Sequence, residues 1–410
     1  MGVGTPRAGT AGKGTAKGME ENSTSYEWID TPGPLEGVAR ILGQAETIGV
    51  DLEADSMYHY FEKVCLVQIA TESAAYLIDP LALKDLSPLR PVFSNRRIRK
   101  IFHGADYDIR CLYRDFRLEV ENLFDTQLAC RFLGLRETGL EALLRSRFGV
   151  DLKKKFQQAD WSRRPLSREM LEYAAMDGRY LIPLARMLER ELEDKGRLSW
   201  VEEECQSLSK VRFQPPSQAP LYMRVKGASR LDPRVLAILD ALLEFREAQA
   251  RSLDLPPFKV LGNESLLGLA MKKPLRREEL EASGVLSRKQ VDRFGTVLLR
   301  EISRAMALPD ENLPVYPREN KQDFPSAVRK RVKALRTWRD MRAKDLAVEA
   351  GTLLNNTVIN HLALKNPRSL GEMEEVRGMK KWLRDHFGRE ILTAQQKGAR
   401  SPGSDGGGNP

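Results

Sequence analysis

Three short acidic blocks spread over the first half of the chain set the tightest limit on how it can fold. They are VDLEA, with Asp51 and Glu53; FHGADYDI, with Asp108; and LEYAAMD, with Tyr173 and Asp177. Each block has a local form that aims its oxygens one way. Carboxylates two apart on a strand project from one face, and a Tyr and an Asp four apart on a helix do likewise. A fold that joins the blocks gathers four carboxylates, which repel one another unless cations lie between them. Hard oxygen ligands in that number suit Mg²⁺ or Mn²⁺, and a pair of such ions is a device for cleaving phosphodiesters. Carboxylates facing inward from an apolar strand are also costly to desolvate without a counter-charge, which a metal supplies.

A chain of 410 residues is too long for one ordinary core, so two or three domains are expected. From Tyr26 to Leu198 short apolar runs alternate with helical periodicity. ETIGVDLEA, KVCLVQIATE, AAYLIDP and RKIFHGA read as strands. DIRCLYRDF, FDTQLACRFLG, GLEALLRSRFG and the long SREMLEYAAMDGRYLIPLARMLERELEDKG read as helices, the last stopped by Gly196. Strands followed by helices argue an α/β unit. The periodicity breaks around VRFQPPSQAP, beyond which the pattern is wholly helical, and LPDENLPVYPRENKQDFP divides that helical part in two. The expected organisation is a tail at 1–24, an α/β domain at 25–200 and a linker at 201–228. A helical bundle at 229–308, a linker at 309–324, a second bundle at 325–395 and a tail at 396–410 follow.

The two bundles read as a repeat. VLGNESLLGLAMKKP (Val260 to Pro274) aligns with LLNNTVINHLALKNP (Leu353 to Pro367), and Phe294-Gly295 falls over Phe387-Gly388 at the same offset. One inserted residue is needed near Gly284 and Gly378. Agreement at Lys272 and Lys365 and at Pro274 and Pro367, besides the apolar positions, separates a repeat from a chance likeness of two helical bundles.

Composition narrows the setting. No apolar run approaches the eighteen or so residues of a membrane span, so a soluble protein without a membrane partner is expected. The amino-terminal stretch is basic and rich in small residues but lacks the apolar core of a secretory signal. Cys65, Cys111, Cys130 and Cys205 show no C-x-x-C spacing and fall in apolar segments, as buried thiols of a reducing compartment do; the cytoplasm is the expected location. The formal charge of +9 favours a polyanionic partner. Arg224, Lys226 and Arg230 precede the first bundle, and Arg329, Lys330, Arg331, Lys333 and Arg336 open the second; these basic faces suit phosphate contacts. Lys153, Lys154 and Lys155 form a basic run of the kind that is usually a solvated face.

Around the acidic blocks, Asp106 is the expected N-cap of the helix carrying Asp108, and Gly104 permits the sharp turn before it. His103 is expected to make a structural hydrogen bond. Met57, Tyr58, Tyr60 and Phe61 follow the first acidic strand, where a flat or apolar side chain can stack on a base; Arg163 and Arg164 stand just before the long helix, where they can meet phosphate.

The order D-x-E, FHGADYDI and DWSRRPLSREMLEYAAMDGRYL resembles the DEDD exonucleases of the tyrosine subclass, and more narrowly bacterial ribonuclease D, in which HRDC domains follow the catalytic domain. The resemblance implies an RNase H-like α/β 3′–5′ exonuclease domain with two all-α HRDC-like bundles. It implies that Asp51, Glu53, Asp108 and Asp177 bind two divalent ions, Mg²⁺ or Mn²⁺, and that Tyr173 orients the attacking water. The implied reaction is 3′–5′ hydrolysis of RNA, tRNA precursors among the substrates, with release of nucleoside 5′-monophosphates. A DNA exonuclease and a nucleic-acid-binding adaptor without turnover are the rival expectations.

Overall fold

The structure, a computed structural model, describes residues 26–151, 156–215, 219–317 and 324–400. The Lys153–Lys155 run and the expected 1–24 tail lie outside them; of the 396–410 tail only 396–400 are described, and they continue the last helix. Six strands make one mixed sheet: β1 (Tyr26–Ile29), β2 (Thr47–Ala54), β3 (Val64–Ala70), β4 (Ala75–Ile78), β5 (Arg99–Phe102) and β6 (Leu123–Asp125), in the order β1-β4-β3-β2-β5-β6. The β2–β3 and β3–β4 pairs are antiparallel, and β1–β4, β2–β5 and β5–β6 are parallel. The four strands read from the sequence are present. β1 and β6 are additions, and β6 takes Phe124 and Asp125 from what reads as the start of a helix. At three residues it is too short to show an alternation of its own.

Around the sheet stand α1 (Pro32–Leu42), α2 (Pro80–Leu83), α3 (Arg90–Phe93), α4 (Asp106–Phe116), α5 (Thr126–Leu133), α6 (Leu140–Phe148), α7 (Arg168–Asp194) and α8 (Leu198–Leu208). Gly196, at φ 64°, ends α7 as expected. The expected linker at 201–228 instead opens with most of α8, whose Val201 and Cys205 are buried in the core of the first domain. That helix has a narrow apolar face whose partners lie far away in sequence, which is why its pattern is weak locally.

The contact between β2 and α7 depends on having no side chain at two places. A Cβ on Gly49 of β2 would stand 2.5 Å from the Gly178 carbonyl oxygen of α7 and 3.2 Å from Leu181 Cβ; one on Gly178 would already touch Ala70 Cβ at 3.4 Å. The backbone of the helix thus rests on the backbone of the strand. The small residues Ala174 and Ala175 are buried one turn earlier.

The first helical bundle contains α9 (Pro233–Leu253), α10 (Pro257–Val260), α11 (Asn263–Lys272), α12 (Arg277–Ala282) and α13 (Arg288–Met306). The second contains α14 (Ser326–Asp345), α15 (Ala350–Leu353), α16 (Asn356–Lys365), α17 (Leu370–Glu374) and α18 (Lys381–Arg400). The repeat extends to single hydrogen bonds. Arg246 donates to the Leu261 carbonyl and the Asn263 side chain, and Arg339 to the Leu354 carbonyl and the Asn356 side chain, in matching positions. Lys273 and Asn366, at φ 52° and 50°, end the paired helices alike.

The bundles attach differently. The first has a core of its own, against which Tyr60 is the one hydrophobic residue of the α/β domain to pack among the described residues. The second shares one continuous core with the sheet. Trp200 of α8 and Trp382 of α18 stack at 4.8 Å, and Phe132 of α5 meets Trp382 edge-on at 5.5 Å. The buried Arg197 guanidinium donates to the Phe132 and Leu346 carbonyls, closing the ends of one helix from each domain.

Gly49→Ala tests the strand–helix contact. Overpacking of this kind should cost about 1–3 kcal/mol in a urea melt, because α7 has to lift off β2. Gly37→Ala in α1, with nothing within 4 Å of the new methyl, should be neutral or stabilising. Equal melts for the two variants would mean that the helix does not rest on the strand at Gly49.

Candidate active site

On β2, Ile48, Val50 and Leu52 point into the core, which turns Gly49, Asp51 and Glu53 to the other face, toward α7. On α7, Tyr173 and Asp177 stand one turn apart, 9% and 4% exposed. One carboxylate oxygen from each of Asp51, Glu53 and Asp177 can be chosen so that all three lie within 4.8 Å of one another. Asp108, buried in the first turn of α4, stands outside that spacing, yet its charge acts on Glu53. The structure thus brings all three acidic blocks together.

The electrostatics are those of an uncompensated acidic site. Burial pushes the Asp51 carboxyl from 3.8 up to about 7. Glu53 is raised well above its usual value by burial and then by Asp51, Asp177 and Asp108. Asp108 and Asp177 are raised by burial first and by Asp51 second. Asp177 Oδ1 is buried and has no hydrogen-bond partner. Buried acceptors without donors are rare because they forfeit their hydration, and a divalent cation is the partner that a cluster of hard oxygens fits. On both counts the residues present fit a divalent metal.

Tyr173 is fixed by its ring, which packs against Phe156 at 5.5 Å and Trp161 at 6.3 Å. Burial, then the charges of Asp177 and Glu53, raise its hydroxyl above the usual tyrosine range.

Asp108 owes its place to a residue that the sequence did not single out. Asp125, 3% exposed, accepts from the backbone N–H groups of Gly104 and Ala105 at 2.9 Å, and also from Gln127 at 2.8 Å and Leu128 at 3.1 Å. One carboxylate therefore caps α5 and ties down the turn that launches α4. An Asp-Thr pair ahead of an apolar-periodic run was the available signal. The expected capping by Asp106 does not occur: Ala105 holds the N-cap position without a side-chain bond, and Asp106 inside the helix pairs with Arg110 at 2.8 Å. The helix starts one residue earlier than that reading needs, so Asp106 stands inside its first turn, where its carboxylate faces Arg110 one turn on. Gly104, at φ 78°, makes the turn as expected, and His103 Nδ1 lies 2.9 Å from Thr126 Oγ1.

The expected substrate contacts divide. Met57 and Phe61 are 46% and 62% exposed on the loop after β2 and remain open to a base. Tyr58 is held in place, its hydroxyl donating to the Gln158 carbonyl and its ring lying 3.9 Å from Lys259 Nζ of the first bundle. Tyr60 donates to Glu247 of the same bundle. The Asp254 carboxylate of that bundle accepts from the Tyr60 and Phe61 N–H groups and meets His59 Nδ1 at 2.7 Å. Arg163 pairs with Asp160 while keeping 81% of its side chain exposed. Arg164 departs from expectation. Its five N–H groups go to both oxygens of Asp79 and to the carbonyls of Cys65, Trp161 and Arg163, which leaves none for a phosphate.

All four cysteines are free and buried, and among the described residues no helix is long and apolar enough to cross a membrane.

The mixed sheet and the convergent carboxylates define a 3′–5′ exonuclease domain, and a family model so described matches residues 26–193; the HRDC domain model matches 235–302 and 328–394. Ribonuclease D of Zymomonas mobilis is 30% identical over 372 residues, which cover 89% of this chain and 92% of that protein. The crystal structure of Escherichia coli RNase D, described as an exoribonuclease involved in structured RNA processing, superposes with a TM-score of 0.65 at 27% identity, covering 91% of this chain and 99% of that one. Protein RRP6-like 3 of Arabidopsis thaliana is 34% identical over 285 residues, 63% of this chain, which spans 32% of that longer protein. The chain belongs to the ribonuclease D family, and it is a 3′–5′ exoribonuclease.

The raised carboxyls carry a pH dependence whose sign is fixed. Between 3.8 and about 7 the folded, metal-free protein keeps a proton on Asp51 that the unfolded chain has lost, so stability declines as pH rises through that window. A bound cation holds the group ionised and cancels the decline. The melting temperature of chelator-treated protein should therefore fall from about pH 5 to about pH 7.5, and Mn²⁺ should raise it more at the higher value. A metal effect equal at both pH values would contradict the burial of these carboxyls.

Proposed function

We propose that this chain trims the 3′ ends of structured RNAs, tRNA precursors among them, in the cytoplasm, releasing nucleoside 5′-monophosphates with two divalent ions, Mg²⁺ or Mn²⁺. The observation that carries the reading is the set of Asp51, Glu53 and Asp177 oxygens within 4.8 Å of one another, with Asp177 Oδ1 buried and unpartnered. Asp51, Glu53, Asp108 and Asp177 would hold the ions. When bound, such ions lend Lewis acidity to a scissile phosphate and lower the pKa of water to the range where it attacks.

The chain's own groups do the rest. The carboxylates take up the cations' charge in a site where water is scarce, so each missing ligand is felt strongly. Tyr173 keeps its phenolic proton at working pH, because its hydroxyl is raised above the usual range. It therefore acts by hydrogen bonding, which orients the attacking water beside Asp177, and not as a base. Met57 and Phe61, exposed next to β2, offer apolar surface to the terminal base, and Arg163 offers a guanidinium to the backbone. The basic residues in the first half of α14 and those before α9 supply sequence-independent attraction for an RNA body while its end enters the site.

The test uses purified full-length protein with 3′-extended tRNA precursor and matched single-stranded RNA and DNA oligomers, with Mg²⁺ or with chelator. Stepwise shortening of the RNA from its 3′ end, lost on chelation, is expected; preference for the DNA oligomer would support the DNA-exonuclease reading. Asp51→Asn and Asp177→Asn should keep the fold but less than about a tenth of the rate, since losing an ion forfeits several kcal/mol of transition-state stabilisation. Tyr173→Phe should lower kcat with metal affinity nearly unchanged; wild-type turnover in that variant would return the ring to a packing role.

A further inference from the structure

Beside the acidic cluster lies a polar side chain that no part of the mechanism uses. Gln68 is the one polar residue of β3, a strand buried along its whole length. It is 1% exposed, and both its Oε1 and its Nε2 are buried without a hydrogen-bond partner. A buried carboxamide with nothing to bond is costly, and Leu or Met would fill the same space without that cost.

Register shows what it faces. Gln68 stands directly opposite Asp51 in the antiparallel β2–β3 ladder, as Ala70 stands opposite Gly49. Residues so paired project from the same face, with Cβ atoms about 4.5–5.5 Å apart. That face is the one α7 covers, because a Cβ on Gly178 would touch Ala70 at 3.4 Å. Gln68 is thus enclosed between Asp51, its neighbour across the ladder, and the helix that brings in Asp177. Within that enclosure the unpartnered groups are complementary: Gln68 Nε2 is a donor without an acceptor, and Asp177 Oδ1 an acceptor without a donor.

We propose that Gln68 is a positioning residue of the metal site: its carboxamide N–H, unpartnered in this structure, is the donor that the Asp51 and Asp177 carboxylates would take up when they hold ions. A carboxylate that binds a cation through one oxygen is free to rock about its last torsion. A donor on the other oxygen stops that motion and selects the ligating rotamer, and it does so without adding charge. Partners of this kind change metal affinity by about 10–100-fold when removed. The proposal rests on the reading that these carboxylates hold divalent ions, and the experiment keeps the two apart.

Mn²⁺ binding to the full-length, chelator-treated protein is followed by the loss of the free-ion EPR signal, with no RNA present. The wild type should bind Mn²⁺ and Asp51→Asn should not; failure of the wild type to bind would remove the metal reading itself. Gln68→Met keeps the volume and removes the amide. It should melt no lower than the wild type without metal, yet bind Mn²⁺ at least about tenfold more weakly. Gln68→Asn, which keeps the amide but withdraws it by one methylene, should also weaken binding, and it serves if the Met variant fails to fold. Mn²⁺ affinity within about twofold of wild type in a folded variant that lacks or withdraws the amide would overturn the proposal, leaving Gln68 as an unpaired core residue.

Discussion

The backbone contact between β2 and α7 is the constraint on which the active site depends. Asp51 and Glu53 belong to the strand, Tyr173 and Asp177 to the helix, and more than a hundred residues separate them in sequence. A helix usually packs on a sheet through layers of side chains; here Gly49 leaves 2.5 Å between its missing Cβ and the Gly178 carbonyl. That approach puts oxygens of Asp51, Glu53 and Asp177 within 4.8 Å of one another. The cost is mutual repulsion and desolvation, visible in the upward displacement of all four carboxyls. A fold pressed together so tightly stores affinity for cations, because whatever neutralises the cluster relieves both terms at once.

The third wall of the site is held by other means. Asp108 rides on α4, and α4 begins where Asp125 fixes the N–H groups of Gly104 and Ala105. A carboxylate engaged by four backbone donors thereby positions a member of the acidic cluster. Asp125 and the four site residues are of one chemical type, and only their partners separate the roles. The same distinction applies to the arginines: Arg164 has its five donors engaged by the domain, whereas Arg163 keeps an exposed side chain.

The two bundles share one sequence pattern and bond internally alike, yet they serve the catalytic domain in unlike ways. The second is fused to it through stacked Trp200 and Trp382 and a common apolar core. The first is joined by polar and aromatic contacts centred on Asp254, His59 and Tyr60, on the loop that also presents Met57 and Phe61. Apolar fusion makes the second bundle part of the stability of the whole. The polar junction places the first where it bears directly on the loop beside the acidic cluster.

Much of this was legible in the sequence because it is local. The four strands with apolar runs, the stop at Gly196, the turn at Gly104, the repeat and the three acidic blocks each follow from propensity, period or spacing over a few residues. What escaped was whatever depends on partners distant in the chain. β6 is three residues long and exists by pairing with β5; α8 reads as linker because what buries it is the sheet and α18. Asp106 has the sequence of a cap, but the turn tied down by Asp125 puts the N-cap at Ala105 and leaves Asp106 inside the helix. Arg164 has the sequence of a phosphate ligand, but Asp79 lies within its reach. The sequence by itself determined which side chains share a strand face or a helix face, since those periods are properties of the backbone. Only the tertiary structure decided which faces meet and which polar groups are left for function, because burial and hydrogen-bond partnership are set by neighbours that the order of residues does not name.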